Sequence, residues 1–300
     1  MDTITAAINA PKIAGIREKI TAYVELTKPR IAVLLVLTSA AGFYLGSKGP
    51  LDLVLFANSI IAITLLAFGV AALNQYWERE IDPLMERTAT RPIPTKRVTP
   101  IEALVFGLLL CVSAEVYLLL AVNRLTALLG LIVIVGYVLV YTPLKTRTSA
   151  STAIGAIPGA LPPLMGWTAA ANDVTLAAWG LFAMQFLWQF PHFFAIAWMY
   201  REQYRKAGIW MLPVVDPTGS LTARQIVMFT IMLIPVSLAP FFLGISGIVF
   251  LVGACILGLG YLWASIQAAR AKTNETAKRL LLVTVIYLPL LFILMVADKR

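Results

Sequence analysis

The 300-residue chain has one histidine, His192, and two cysteines, Cys111 and Cys255. A single histidine excludes a multi-histidine metal site, and two cysteines inside apolar runs are typical of small core residues, not of a disulfide framework. Charged residues make up 13% of the chain, against about 25% in typical soluble domains. This scarcity of charge excludes intrinsic disorder and a free cytosolic enzyme.

Apolar sequence is what the chain has in excess, with 60% hydrophobic residues and a mean hydropathy of +0.84. A membrane-spanning helix needs about 20 predominantly apolar residues. The prolines at 158, 162 and 163 interrupt the fifth apolar run and predict a broken helix there. We predict an all-α, polytopic membrane protein with one domain over 1–300 and nine spans, at 31–47, 53–75, 101–121, 125–141, 154–171, 176–199, 225–243, 245–268 and 280–297.

The basic residues divide unevenly between the two sides that nine spans would create. Twenty of the 24 lysines and arginines lie in the segments 1–30, 76–100, 142–153, 200–224 and 269–279. The positive-inside rule therefore predicts a cytoplasmic N-terminus and a C-terminus on the opposite side. Neither a signal peptide nor a transit peptide is evident, which favours a bacterial plasma (inner) membrane. Within 1–28, apolar residues recur at helical spacing and predict a helix lying at the membrane interface.

Oxygen-bearing side chains recur every fourth residue after the second span, at Asn74, Glu78 and Asp82. If that helix continues to Pro83, the three side chains form one stripe. Mg²⁺ prefers such oxygen ligands together with substrate phosphates. An isolated pattern of this kind is also typical of a solvated helix end, but the cations that follow it, Arg87, Arg91, Lys96 and Arg97 among them, favour a diphosphate site.

Two further segments bring polar groups to the same side of the membrane. Tyr141, Lys145 and Arg147 follow the fourth span, although a lone interfacial tyrosine is commonly an anchor. His192 lies near the end of the sixth span, followed by Arg201 and Glu202. A histidine inside a membrane is a site hypothesis, because imidazole can ligate haem iron or transfer a proton.

Several segments in this order resemble the UbiA-type intramembrane prenyltransferases, and within them the branch whose acceptor is haem B. They are Leu26 through Arg30, Asn74 through Pro92, Tyr141 through Lys145, Gly155 through Trp167, Trp188 through Phe193, and Ala207 through Val214. The resemblance implies a helical bundle around a central cavity, farnesyl diphosphate as donor, haem O and diphosphate as products, and Mg²⁺ as cofactor. It also implies possible association with haem A synthase or with oxidase assembly.

The resemblance assigns roles to individual positions. The catalytic positions of the family correspond to Asn74, Glu78, Asp82, Tyr141 and Lys145. The expected metal ligands are Asn74, Glu78, Asp82 and Glu202, and the expected haem-binding residue is His192. The expected diphosphate ligands are Arg87, Arg91, Lys145, Arg147 and Arg201. Two departures from the family pattern stand out: Glu78 replaces a frequent aspartate, and Gln203 replaces the aspartate expected before Tyr204, for which Glu202 is the nearest substitute.

Three other functions fit parts of this pattern. A related prenyltransferase acting on a quinone precursor or other aromatic acceptor would share every motif except those that indicate haem. A membrane transporter would carry several acidic residues at mid-membrane depth. Only Glu115 lies well inside a predicted span, which speaks against a transporter. A haem-holding assembly factor would bind haem without depending on Mg²⁺.

Overall fold

The structure, a computed structural model, describes residues 15–300, and these are almost entirely helical. The short helix α1 (Ile16–Leu26) precedes nine long helices, and α8 (Arg201–Lys206) is a second short one. Apart from an isolated bridge between Ser246 and Lys299, residues 15–300 contain no β structure. The long helices are α2 (Pro29–Gly46), α3 (Leu53–Glu78), α4 (Pro100–Ala121), α5 (Arg124–Leu144), α6 (Ser151–Ala171), α7 (Leu176–Met199), α9 (Ser220–Phe242), α10 (Ile248–Ala271) and α11 (Asn274–Ala297).

Each long helix coincides with one of the nine apolar runs, so the prediction of an all-helical membrane bundle is confirmed. Within residues 15–300, seven helices are long and apolar enough to cross a membrane by length and composition. The other two, α6 and α7, carry prolines, glutamines and the histidine in their interiors. Nine as the number of spans, and the cytoplasmic N-terminus, stay predictions.

The helix α6 is largely buried and packs against α2, α5 and α7. Its approach to α2 is close enough to require glycine. A Cβ on Gly166 would lie 1.8 Å from the Ser39 carbonyl oxygen, and one on Gly42 would lie 2.1 Å from that of Pro163. Small residues at helix interfaces are the usual way in which membrane helices bring their backbones together.

The prolines of α6 do not break it, so the prediction of a broken helix is wrong. Pro163 has no N–H to donate to the carbonyl of Gly159, four residues earlier. The side chain of Gln185 on α7 supplies the missing donor, with Nε2 2.8 Å from Gly159 O, and Gln189 Nε2 lies 3.0 Å from Ala156 O. A neighbouring helix thereby satisfies backbone groups that lipid could not.

The sequence predicts an interfacial helix within 1–28, and the structure has a helix at Ile16–Leu26. Residues 1–14 lie outside the described range. Ala22 and Leu26 are buried against α3 and α4, while Ile16, Ile20 and Val24 form an exposed apolar stripe. Such a stripe is typical of a helix lying in the headgroup region. Its position on the membrane surface stays a prediction.

Candidate functional site

The oxygen-bearing stripe lies where α3 ends, at what we call the site end of the bundle. α3 terminates at Glu78 and does not continue to Pro83, because bonds such as Ile81 N–H to Glu78 O (3.0 Å) tighten the chain. Asp82 begins a separate 3₁₀ turn, Asp82–Leu84. The prediction of one continuous helix is therefore wrong. Asn74, Glu78 and Asp82 are nevertheless all buried, Asp82 completely.

Arg91 joins the two carboxylates. Its Nη1 lies 2.7 and 2.8 Å from the two oxygens of Asp82 and 3.2 Å from Glu78 Oε2. The loop that carries Arg91 is held by the Thr88 hydroxyl, which donates to Asp82 O at 2.8 Å. The turn after α3 thus brings Asp82 back beside Glu78, around one shared cationic nitrogen.

Lys145 approaches Glu78 from the other side. Its Nζ lies 2.5 Å from Glu78 Oε1 and 4.4 Å from the centre of the Tyr141 ring. Burial is the largest single influence and opposes the charge of Lys145, but the charge of Glu78, the hydrogen bond to it and the nearby Tyr141 and Tyr137 together hold the pKa of Lys145 above its ordinary value. Glu78 therefore lies between two permanent cations.

Lys28, which the sequence reasoning did not assign, completes the cluster. Its Nζ lies 2.6 Å from Asn74 Oδ1, and Asn74 Nδ2 donates to the Thr142 hydroxyl at 3.2 Å. Lys28 adopts a left-handed conformation (φ +49°) at the turn after α1, whose last carbonyls accept from Gln75. Burial and the nearby Arg91 lower the pKa of Lys28 to about 7. These contacts fix which way the Asn74 amide points.

A π-helical stretch in α5, Val135–Tyr141, aims two phenol rings at the same place. Tyr137 and Tyr141 meet edge to face with their ring centres 4.9 Å apart, and Lys145 Nζ lies 6.0 Å from the Tyr137 ring. A Cβ on Gly155 would lie 2.4 Å from the Tyr141 ring, so only glycine admits that ring. Inserted π turns are frequent at functional sites.

The loop after Asp82 also contacts α8. Arg87 Nη2 donates to the Tyr204 hydroxyl at 3.2 Å, and the Arg87 backbone N–H donates to Gln203 Oε1 at 3.3 Å. Glu202 faces elsewhere: its side chain is 64% exposed and pairs with Arg205 at 2.5 Å. One residue along a helix turns a side chain by about 100°. The structure therefore places Gln203, and not Glu202, against the loop, and the metal role of Glu202 stays a prediction.

The predicted diphosphate ligands do not all reach the cluster. Arg91 and Lys145 are part of it, whereas the recorded partners of Arg87 are Gln203, Tyr204 and the Tyr200 ring. Arg147 is exposed, with no side-chain partner among residues 15–300, and Arg201 lies over the Trp198 ring beside Glu202. Arg97 pairs with Glu25 on α1 instead.

His192 lies on α7 in a stacked contact with Trp188, with ring centres 4.8 Å apart. Its Nδ1 lies 2.7 Å from the hydroxyl oxygen of Thr284 on α11. The next residue, Phe193, packs against an apolar cluster that contains Met85, from the loop after Asp82, and Tyr204 of α8. The histidine itself is therefore held by Trp188 and Thr284, while the residue after it contacts the apolar cluster that includes Met85.

The donor atoms of the cluster suit a hard divalent cation. Asn74, Glu78 and Asp82 offer one amide and two carboxylates, a set that Mg²⁺ accepts when phosphates and waters complete its shell. One guanidinium nitrogen already lies between both carboxylates. Residues 15–300 contain no group of three or more His, Cys, Asp or Glu side chains arranged to hold a metal ion, so the two carboxylates would need further oxygen ligands such as the amide, waters or substrate phosphates.

Residues 35–294 match the model of the UbiA prenyltransferase family. The protoheme IX farnesyltransferase of Solibacter usitatus is 48% identical over 286 residues, covering 92% of this chain and 98% of the relative. The protein of the same name from Koribacter versatilis is 40% identical over 309 residues, covering 100% of this chain and 99% of the relative.

Solved structures of low sequence identity share the fold. A digeranylgeranylglyceryl phosphate synthase superposes with a TM-score of 0.78 at 18% identity, covering 94% of this chain and 98% of that one. A UbiA homologue from Archaeoglobus fulgidus bound to DMAPP and Mg²⁺ superposes with a TM-score of 0.64 at 15% identity, covering 92% and 99%.

Proposed function

Because the chain belongs to the UbiA prenyltransferase family, we propose that it transfers the farnesyl group of farnesyl diphosphate to a vinyl group of haem B, giving haem O and diphosphate. The observation that carries the proposal is the buried cluster of two carboxylates, one amide and three basic side chains. Donor and acceptor follow from the name shared by relatives over nearly their full lengths.

The leaving group is the first chemical problem, because a departing diphosphate carries growing negative charge. Arg91 and Lys145 are positioned to exchange their carboxylate partners for diphosphate oxygens, and Arg87 on the same loop as Arg91 would add a third cation. Asn74, Glu78 and Asp82 would then hold Mg²⁺, which supplies further neutralisation of the diphosphate charge. Charges placed before the reaction stabilise the transition state without reorganisation.

The farnesyl cation is the second problem, because water would capture it. When the C1–O bond breaks, the positive charge spreads over the allylic carbons. The rings of Tyr137 and Tyr141 offer negative π faces beside Lys145, and apolar helices surround the site. The vinyl carbon of haem forms the new C–C bond, and water then adds to the resulting porphyrin-stabilised cation and releases a proton, leaving a hydroxyl group.

His192 is assigned to the acceptor side of this reaction, since it is stacked on Trp188 and the next residue, Phe193, packs against Met85 in the loop after Asp82. The polar cluster at one end of the bundle fits a water-soluble head group, with apolar helices beyond it. The positive-inside pattern supports placing the site loops on the cytoplasmic side of a bacterial plasma (inner) membrane. Association with haem A synthase or oxidase assembly stays a prediction.

The test is product formation by the purified protein. Haem B and farnesyl diphosphate are incubated with it, with and without Mg²⁺, and the extracted haems are analysed by mass spectrometry. A farnesyl-hydroxyethyl haem that appears only with Mg²⁺ is the expected result. No new haem, in a folded sample that still binds farnesyl diphosphate, would overturn haem as the acceptor and point to an aromatic or quinone-type substrate.

A further inference from the structure

Thr284 lies on α11, far along the chain from every motif that marks the site. Its side chain is buried, and its hydroxyl oxygen has two close neighbours: Leu281 O at 2.6 Å and His192 Nδ1 at 2.7 Å. Its backbone carbonyl accepts from Trp188 Nε1 at 2.8 Å. One residue of α11 therefore holds both His192 and the indole ring stacked on it.

These contacts decide which nitrogen of His192 carries the proton. A threonine hydroxyl has one hydrogen to donate. The carbonyl of Leu281 can only accept, so the Thr284 hydrogen must lie on the 2.6 Å contact between the two oxygens. Towards His192 the hydroxyl oxygen is left as an acceptor, and Nδ1 must be the donor. In neutral imidazole the lone pair is then on Nε2.

That Nε2 atom is available to a ligand. It has no hydrogen-bond partner among residues 15–300, and the residue is only partly buried. Metal-binding histidines commonly donate one ring N–H to a fixed acceptor, which orients the other nitrogen. The Trp188 ring stacked on His192 restricts rotation of the imidazole further.

We propose that Thr284 is a positioning residue that fixes the tautomer of His192, so that His192 Nε2 ligates the iron of the haem acceptor. The substrate would thus be held through its metal. The proposal rests on the proposed function for the identity of the acceptor. It concerns ligation, and it can be tested without prenyl transfer.

The experiment compares two porphyrins on the purified full chain without farnesyl diphosphate. Haem B and metal-free protoporphyrin IX share their shape, but only haem B has an iron to ligate. We expect His192→Leu and Thr284→Val each to weaken haem B binding at least about tenfold, the usual effect of losing a ligand or its hydrogen-bond partner. Binding of metal-free protoporphyrin IX should stay within about twofold of the parent chain.

Thr284→Ser is the matched control, because it keeps the hydroxyl. It should keep the haem B affinity of the parent chain and the electron paramagnetic resonance signal of ferric haem, which reports the ligand of the iron. Equal weakening of both porphyrins, or a Thr284→Val chain with the parent's affinity and spectrum, would overturn the proposal. A parent chain that ligates haem through His192 but forms no farnesylated haem would overturn the proposed function and leave this inference standing.

Discussion

Two groups of charged residues, one at each end of the bundle, are used in opposite ways. At the end away from the site, the carboxylate of Asp298 accepts from the backbone N–H of Phe250 (2.7 Å), near the start of α10. Lys299 Nζ donates to the carbonyls of Tyr44 and Ser47, at 2.6 and 2.8 Å, where α2 ends. At the site end, Glu78, Asp82, Arg91 and Lys145 are paired with one another instead.

The difference separates structural charge from functional charge. A side chain that satisfies the last backbone groups of a helix cannot leave without exposing them. Side chains that neutralise one another can change partners when a ligand brings the same charges. The four predictions below test this contrast, from the largest expected effect to the smallest.

Asp82→Asn should lower turnover at least about 10²-fold, the scale of losing a preorganised electrostatic group. The change keeps the shape of the side chain but removes the charge that binds Arg91. The measurement is the rate of farnesylated haem formation, with circular dichroism to verify the fold. Glu86→Gln is the matched control, because Glu86 is exposed in the same loop. Near-parent activity in a folded Asp82→Asn sample would contradict the role of the cluster.

Lys28→Met should lower kcat/KM for farnesyl diphosphate about tenfold, since it removes the hydrogen bond that orients the Asn74 amide. The thermal midpoint should change little, because methionine keeps the apolar stem of the side chain. Arg30→Gln, an exposed change two residues further on, serves as the control. Equal losses in both variants would mean that only local positive charge matters.

Gln185→Leu should destabilise the bundle by about 1–3 kcal/mol, the usual cost of leaving a buried carbonyl without a donor. Pro163→Ala restores an N–H that can donate to Gly159 O, so in that background the same change should cost much less. Thermal unfolding in detergent of the four chains of this double-mutant cycle gives the coupling. Additive effects would show that Gln185 does not replace the missing backbone donor.

Lys299→Met should have the smallest effect, a loss of about 0.5 kcal/mol in stability from removing a cation at the end of α2. Prenyl transfer should be unchanged, because every contact of Lys299 is at the end away from the site. Parallel melting curves and product assays measure both. A large loss of activity at unchanged stability would contradict the division between the two ends.

Much of the molecule was predictable from local sequence. The apolar runs predicted the long helices because spanning length is fixed by bilayer thickness. The contacts between Glu78, Arg91 and Lys145 follow from motifs that the sequence itself displays, since these residue types are expected together around a diphosphate. Gln203 and Glu202 illustrate the limit, because the turn of α8 decides which of the two faces Arg87.

What the sequence could not predict depends on partners distant along the chain. The continuity of α6 depends on Gln185, which belongs to another helix. Lys28 meets Asn74 across 46 residues, and His192 meets Thr284 across 92. Lys28 had a signal, since it lies in one of the segments that carry the family resemblance. Thr284 had none, because a threonine in an apolar span looks like many others.

The sharing of Arg91 between two carboxylates has a consequence for the order of loading. The negative charges of Glu78 and Asp82 are already balanced by Arg91 and Lys145. Lys28 is either neutral or a further positive charge. A free divalent cation would meet a neutral or positive surface, whereas an anionic diphosphate would be attracted to it. We therefore expect Mg²⁺ alone to bind weakly. Farnesyl diphosphate should raise the affinity of the protein for Mg²⁺, because it binds the basic side chains and frees the carboxylates.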